Sequence, residues 1–311
     1  MTAGIHSRAP ALADPASASP APAAVPARWT VLDVIKWTAS RFAERGLATP
    51  RLDAELLVAH VLALPRIQLY VQSDRPLSTE ELAAIRELIK RRQAGESVAY
   101  LIGKKEFWKL EFAVDARVLV PRPDTETLIE VASERWDARP VETAGARIAD
   151  VGTGSGAIAV TLAKLRADAT VFAVDVSEDA LAVARANAER HAAAVTFLTG
   201  DLDAPLATHA PFALIAANLP YIPTGDLAGL PPEVKVEPAL ALDGGPDGLV
   251  LVRRLVAAAP ALLSSGGALV LEIGDGQAGA TAALLREAGF TDVQTKRDLG
   301  GVERVVSGVK P

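Results

Sequence analysis

From residue 31 onward, apolar side chains return at the spacing of a helical turn. Leu32, Ile35, Ala39 and Phe42 mark one face, and the pattern stops near Gly46. Pro50 opens a second helical stretch, with Leu52, Glu55, Leu56, Ala59 and His60 expected along a partly apolar face. A third stretch starts at Ser78. There Ser78 and Glu81 have the spacing of a capping box, and Leu77 and Leu82 stand in the positions of a hydrophobic staple. Leu82, Ile85, Leu88 and Ile89 supply its buried stripe and Gly95 ends it, so residues 29–95 are expected to form a small helical domain. Between 96 and 120 the period is lost. Tyr100, Leu101, Phe107, Trp108, Leu110, Phe112 and Val114 are interrupted by the turn-prone Gly103-Lys104-Lys105, which predicts an extended or hairpin linker. Leu128, Ile129 and Ala132 then suggest one more helix.

Beyond residue 147 a different rhythm takes over. Short apolar runs at 148–151, 171–174, 195–198, 212–216, 268–273 and 304–307 alternate with helical stretches at 157–165, 178–190, 249–263 and 278–288. Strand–helix units with short connections predict an α/β domain over 121–311. Its sheet should be mostly parallel, covered on both faces, with a ligand at the strand ends.

Composition narrows the class without deciding it. The chain has 311 residues, 50% hydrophobic and 23% charged, enough for a catalytic domain with a smaller companion. A net charge of -6 argues against nonspecific nucleic-acid binding, so direct contact with nucleic acid is not expected. Four histidines without metal-ligand spacing and no cysteine exclude disulfides and thiolate zinc sites. No apolar run approaches the ~20 residues of a membrane span, so no membrane role is expected. Residues 1–28, rich in Ala, Pro and Ser, read as a disordered tail rather than a signal peptide, and a cytoplasmic location suits the chain.

The candidate chemistry starts at Asp150-Val151-Gly152-Thr153-Gly154-Ser155-Gly156, which closes the first strand of the α/β domain and opens a helix. Small residues there allow a tight turn and close backbone approach to a ligand, although a bare turn would look the same. A dinucleotide fingerprint would need glycine at position 157, where Ala157 stands. Asp175 ends the next strand, within reach of ribose hydroxyls. Together these segments resemble the seven-stranded, Rossmann-like S-adenosylmethionine-dependent methyltransferases. In that register Asp201 would hold the adenine amino group and Leu202 would touch its ring; read alone, Asp201 is as readily a solvent-facing turn residue.

Asn218-Leu219-Pro220-Tyr221 follows the fourth strand on the same sheet edge. The Asn218 side-chain oxygen and the Leu219 carbonyl could accept the two N–H groups of a planar amide, beside the flat ring of Tyr221. Pro220 and Pro223 would stiffen the loop. The motif by itself leaves amide and adenine nitrogen both open as methyl acceptors.

Further blocks bring a narrower resemblance. These are 52–57 (LDAELL), 99–103 with Phe107, 118–126 (VLVPRPDTE), Glu237-Pro238, 244–249 (GGPDGL), Glu272-Ile273-Gly274 with Gln277, and Asp298-Leu299 with Arg304-Val305-Val306. From about Leu52 to Val309 the chain resembles the bacterial peptide chain release factor N5-glutamine methyltransferases (HemK/PrmC family). The resemblance implies methyl transfer from S-adenosyl-L-methionine, leaving S-adenosyl-L-homocysteine. The acceptor it implies is the glutamine of the Gly-Gly-Gln loop of class 1 peptide chain release factors, in translation termination. It also implies a helical substrate-binding domain, a hairpin linker over 96–120 and the catalytic domain over 121–311. Asp150, Gly152, Thr153, Gly154, Ser155, Gly156, Asp175, Asp201, Leu202 and Asn218 become the expected cofactor residues. Asn218, Leu219, Pro220 and Tyr221 become the expected catalytic and substrate-binding ones. Leu219 departs from the usual Asn-Pro-Pro-Tyr, but the acceptor expected there belongs to the backbone.

Two other readings compete. An adenine-specific nucleic-acid methyltransferase would share both loops but needs a basic surface, for which Arg51, Arg66, Lys90, Arg91, Arg92, Lys104 and Lys105 are the candidates. An inactive binding module is opposed by the intact glycine loop, Asp175 and Asn218. Glu126 and Asp124 are expected to order the linker through local hydrogen bonds, with a direct substrate role as the alternative, Arg122 to pair with one of them or approach a partner, and Glu237 to brace the acceptor loop.

Overall fold

The computed structural model describes residues 28–139 and 145–311; apart from Arg28, the expected tail lies outside them. Four helices come first: α1 (Val31–Glu44), α2 (Pro50–Val61), α3 (Arg66–Val71) and α4 (Thr79–Gln93). Reciprocal capping boxes start α1 (Thr30 with Asp33) and α4 (Ser78 with Glu81), satisfying N–H groups that a helix start leaves orphaned. Val34, Phe42, Ala54, Leu57, Ile85 and Ile89 share the core between these helices.

The buried face of α2 differs from the expected one. Leu52 and His60 are exposed, whereas Ala54, Leu57 and Val58 are buried together with the acids Asp53 and Glu55. The acids tolerate burial because cations meet them: Arg92 lies 2.8 Å from Asp53 and Arg51 2.9 Å from Glu55. The Tyr70 hydroxyl also donates to Glu55 at 2.7 Å. An unpaired buried carboxylate would be prohibitive, a paired one is not, and apolar periodicity registers neither.

The linker also corrects its expectation. A short helix, α5 (Val98–Ile102), precedes the antiparallel hairpin of β1 (Lys104–Phe107) and β2 (Leu110–Ala113). Gly103, at φ +72°, ends α5, and Lys104 and Lys105 lie inside β1. The reversal falls instead on Trp108 (φ +50°) and Lys109 (φ +61°), two left-handed residues as a tight hairpin loop demands. Glu126 holds that turn, its Oε1 accepting from the Trp108 N–H at 2.9 Å.

The remaining elements are α6 (Glu126–Asp137), β3 (Arg147–Val151), α7 (Ala157–Leu165), β4 (Thr170–Asp175), α8 (Glu178–Arg190), β5 (Val195–Thr199), β6 (Phe212–Ala217), α9 (Pro232–Lys235), α10 (Val250–Leu262), β7 (Leu263–Glu272), α11 (Ala278–Glu287), β8 (Thr291–Arg297) and β9 (Glu303–Val309). Among the described residues, β3 to β9 form one seven-stranded sheet in the order β5-β4-β3-β6-β7-β9-β8, and only β9 opposes the rest. Side chains alternate across it. Ala149, Val151, Ile215 and Leu269 pack under α10 and α11, while Ile148, Leu214, Ala216 and Val270 pack under α6 and α7. The edge strand β8 was not among the expected strands, because its Thr-Asp-Val-Gln-Thr-Lys-Arg is exposed almost throughout.

The chain walks outward from β3 to β5, then returns to lay β6 on the other side of β3. Strands that part in this way open a crevice at their carboxyl ends. Val151 pairs with Ala217 at that point, so the loops after β3 and β6 emerge side by side.

Candidate active site

The loop leaving β3 is the glycine loop. Its N–H groups at Gly152 and Thr153 both donate to the Val174 carbonyl at 2.9 Å, which folds the loop over the end of β4. Gly152, Gly154 and Gly156 all have positive φ. A Cβ on Gly156 would stand 3.1 Å from the Ala184 Cβ and 3.2 Å from its Cα, so glycine is what lets α7 start against α8.

A cavity of about 390 Å³ opens on this loop. Of the expected cofactor residues, Gly152, Gly154, Asp175, Asp201, Leu202 and Asn218 line it, and Asp150, Thr153, Ser155 and Gly156 do not. Asp150 is fully buried behind the loop. Its Oδ2 accepts from the Thr153 hydroxyl at 2.6 Å and from the Ala159 N–H at 3.0 Å, tying the loop to the first turn of α7. Among the described residues Oδ1 has no hydrogen-bond partner, and burial pushes the carboxyl up to about 7. Thr153 thus clasps Asp150, and the Ser155 carbonyl accepts from Asn187 Nδ2 at 2.9 Å.

Asp175 sits at the cavity with both oxygens anchored: Oδ2 accepts from the Gly154 N–H and Oδ1 from the Ser177 N–H, each at 2.9 Å. Each carboxylate oxygen retains a lone pair, so the group stays able to accept from a diol. Asp201 lies on the rim, 2.7 Å from Arg254. That pair is solvent-exposed and worth at most about 1 kcal/mol, too little to keep Asp201 from another donor. Leu202 adopts φ +50° and turns its buried side chain into the wall. The residues present therefore suit a nucleoside-bearing ligand: backbone at glycines for close approach, an anchored carboxylate for hydroxyls, and apolar walls for a ring.

Several wall residues lie outside the expected cofactor set, although Val118, Leu119 and Pro238 fall in blocks that carry the family resemblance. Arg117, Val118 and Leu119 come from the linker, Pro238, Leu240 and Ala241 from beyond α9, and Leu251 and Arg254 from α10. Val176 and Leu240 stand at the mouth, both more than half exposed. Only the tertiary fold collects these segments.

The loop leaving β6 carries Asn218, Leu219, Pro220 and Tyr221, of which the first three line the cavity and Tyr221 does not. Leu219 is buried, and a Cβ built on Gly152 would lie 3.1 Å from its Cδ2, so this side chain packs the acceptor loop onto the glycine loop. Asn218 is half-buried, and its Nδ2 donates to the Thr125 hydroxyl at 3.2 Å. The Tyr221 hydroxyl is pushed up to about 12, first by burial and then by Glu272, so it stays a neutral phenol. Its carbonyl accepts from Gln277 Nε2 at 2.9 Å, and Gln277 Oε1 in turn accepts from the Gly274 N–H at 2.9 Å. Gly248 packs flat on the same loop, with room for no side chain: a Cβ there would fall 2.2 Å from the Tyr221 carbonyl oxygen.

Behind the loop, Arg122 pairs with Glu237 at 2.6 Å rather than with Asp124 or Glu126. Burial raises the Glu237 carboxyl and Arg122 opposes that rise. Asp124 instead faces Arg304 at 3.7 Å. Of the seven basic candidates for a nucleic-acid surface, six meet an acid. Arg51 and Arg66 share Glu55, Lys90 faces Glu87, Arg91 faces Glu96, Arg92 faces Asp53 and Lys104 faces Glu111. Burial lowers the seventh, Lys105, and the neighbouring Arg122 lowers it further.

Residues 33–103 match the PrmC N-terminal domain and residues 148–235 match a methyltransferase domain. The chain is 45% identical over 284 residues to the release factor glutamine methyltransferase of Geobacter sulfurreducens, covering 91% of this chain and 98% of that one. It is 43% identical over 286 residues to the protein of the same name from Chlorobaculum tepidum, covering 90% and 97%. Among solved structures, the hMettl16 catalytic domain shares the fold alone, with a TM-score of 0.53 at 14% identity over 72% of this chain and 82% of that one. Similarity of this extent to the named enzymes, along nearly their whole length, means that the chain belongs to the release factor glutamine methyltransferase family.

Proposed function

We propose that this chain methylates the side-chain amide nitrogen, N5, of the glutamine in the Gly-Gly-Gln loop of a class 1 release factor. The methyl donor is S-adenosyl-L-methionine and the other product S-adenosyl-L-homocysteine. The observation that carries the reading is the meeting of two loops at the β3–β6 crevice: the glycine loop and Asn218-Leu219-Pro220-Tyr221 share one cavity.

The donor supplies an electrophilic methyl on a sulfonium. The chain supplies placement. Gly152 and Gly154 give it backbone to rest on, Asp175 meets its hydroxyls, and Asp201 and Leu202 meet its ring. Asn218 Oδ1 and the Leu219 carbonyl each accept one N–H of the incoming glutamine amide, which turns the nitrogen toward the methyl. The C–N bond forms as the C–S bond breaks, and the nitrogen releases one proton. An amide nitrogen is a poor nucleophile, so alignment matters more than a general base, and pre-paid orientation can supply about 7–11 kcal/mol of a barrier. In this division residues 29–95 hold the release factor, 96–120 link the units and 121–311 catalyse. The paired basic side chains favour a protein acceptor over a nucleic acid.

The test compares the wild-type chain with Asn218→Ala, using labelled donor and offering a class 1 release factor and nucleic acid side by side. We expect labelling of the release factor only. Removing the orienting oxygen should cut kcat by about 10²–10³, the usual loss of one positioned hydrogen-bonding group, while S-adenosyl-L-homocysteine binding changes far less. Undiminished transfer by the variant would remove Asn218 from its role, and preferential labelling of nucleic acid would restore the adenine reading.

A further inference from the structure

β7 ends at Glu272, next to the end of β6 that carries Asn218, since Ala217 pairs with Leu271 one residue earlier. Glu272 is 1% exposed, and its Oε2 has no hydrogen-bond partner among the described residues. Its polar neighbours are the Thr125 hydroxyl, Arg304, Asp124 and the Asn218 carboxamide. Thr125 is itself buried and stands at the N-cap of α6, where a hydroxyl ordinarily accepts from the helix. It makes no such bond and accepts from Asn218 Nδ2 instead. Three elements thus bring a carboxylate, a hydroxyl and a carboxamide together directly behind the acceptor loop.

We propose that Glu272 and Thr125 are positioning residues that fix which end of the Asn218 carboxamide faces the substrate, a refinement that rests on the glutamine reading above. The oxygen and the amino group of a carboxamide have nearly the same shape, so packing alone does not choose between them. A hydroxyl both donates and accepts, and Thr125 by itself would tolerate either orientation. Burial raises the Glu272 carboxyl to about 7, so the group is ionised on the alkaline side of that value, where it only accepts. With Nδ2 turned toward Glu272 the contact is attractive; with Oδ1 turned there, two acceptors oppose each other in a dry site. Hydrogen bonds to charged groups are strong enough to bias such a choice by about tenfold to a hundredfold. The selected orientation sends Oδ1 into the cavity, where a glutamine N–H needs an acceptor. The reversed one would set an amino group against an amino group.

The test is steady-state methylation of a class 1 release factor by the full chain and by Thr125→Val, Thr125→Ser, Glu272→Leu and Glu272→Gln. Binding of S-adenosyl-L-homocysteine and the melting temperature are measured in parallel. Val keeps the shape of Thr without its hydroxyl, and Leu removes the carboxylate. Both should lower kcat about tenfold or more, while KM for the release factor and inhibitor binding stay within about threefold, the signature of lost orientation rather than lost binding. Ser restores the hydroxyl and should keep at least about a third of the wild-type kcat. Gln, which can offer Asn218 either an oxygen or an amino group, should fall between Leu and wild type. Wild-type kcat in both Thr125→Val and Glu272→Leu would overturn the proposal, and so would losses that track melting temperature and are not relieved by Ser. A wild-type chain inactive on the release factor would overturn the glutamine reading and this refinement together, whereas active wild type with equally active variants overturns the refinement alone.

Discussion

Asp150 shows how a residue can belong to a cofactor motif without touching the cavity. Its carboxyl is fully buried, bonded through Oδ2 to the loop it precedes, and held near 7 by burial. The folded protein therefore keeps a proton on this group that the unfolded chain has already released above its ordinary value of 3.8. Stability from this group is complete below pH 3.8 and is lost as pH rises through about 7. Asp150→Asn has no such proton. The stability of the variant relative to wild type should thus shift in the variant's favour from about pH 4 to about pH 7 and level off above that, measured by denaturant unfolding at each pH. Glu272, also raised to about 7, is present in both proteins and cancels from the difference. A difference that stays flat with pH would mean that Asp150 is ionised throughout. The motif made Asp150 visible in the sequence; that its carboxylate would point into the fold was not, because the glycine spacing fixes the turn and not the direction of the preceding side chain.

At the scale of elements, the glycines after the acceptor loop perform a packing task that their sequence does not advertise. A Cβ on Gly248 would meet the Tyr221 carbonyl oxygen at 2.2 Å and Gln277 Nε2 at 2.6 Å, at a φ of +75° that side chains avoid. A Cβ on Gly244 would likewise fall 2.7 Å from the Pro220 carbonyl oxygen. Gly248→Ala should cost about 1–3 kcal/mol of stability, the usual range for overpacking, because backbone cannot swing aside as a side-chain tip would. It should also lower kcat, since the displaced atoms belong to the acceptor loop. Thermal unfolding and turnover on the same preparation check both, and an unaltered kcat would show that the loop absorbs the strain elsewhere. The elements that were legible had strong local signals, such as the capping box at Ser78 and the strands buried on both faces. β8 was not legible, being polar and joined to the sheet through backbone pairing with β9. Nor was the hairpin turn, since Trp108 and Lys109 are not residues that usually take positive φ. In α2 the buried face includes two acids whose cations come largely from elsewhere in the chain.

Across the whole molecule, a few polar side chains tie the parts of the site to one another. Asn187 is wholly buried. It exchanges two hydrogen bonds with Ala113 of the hairpin, at 2.8 and 3.0 Å, and donates a third to the Ser155 carbonyl of the glycine loop. Arg92 joins Asp53 of the helical unit to Glu233 of α9, beyond the acceptor loop. Losing one partner of the buried Arg92–Asp53 pair typically costs about 3–5 kcal/mol, whereas the link to Glu233, a third of which is exposed, is screened and weaker. The strand order was legible only as a class, a mostly parallel sheet with its ligand at the strand ends. That β6 returns to β3, and so brings Asn218 beside Gly152, is a property of the assembled sheet. The central claim is that this crevice methylates one amide. Its most direct measurement is mass mapping of a class 1 release factor after incubation with the chain and S-adenosyl-L-methionine. A single added methyl on the side-chain nitrogen of the Gly-Gly-Gln glutamine is expected; a methyl on another residue, or none on the release factor while nucleic acid is labelled, would contradict that assignment.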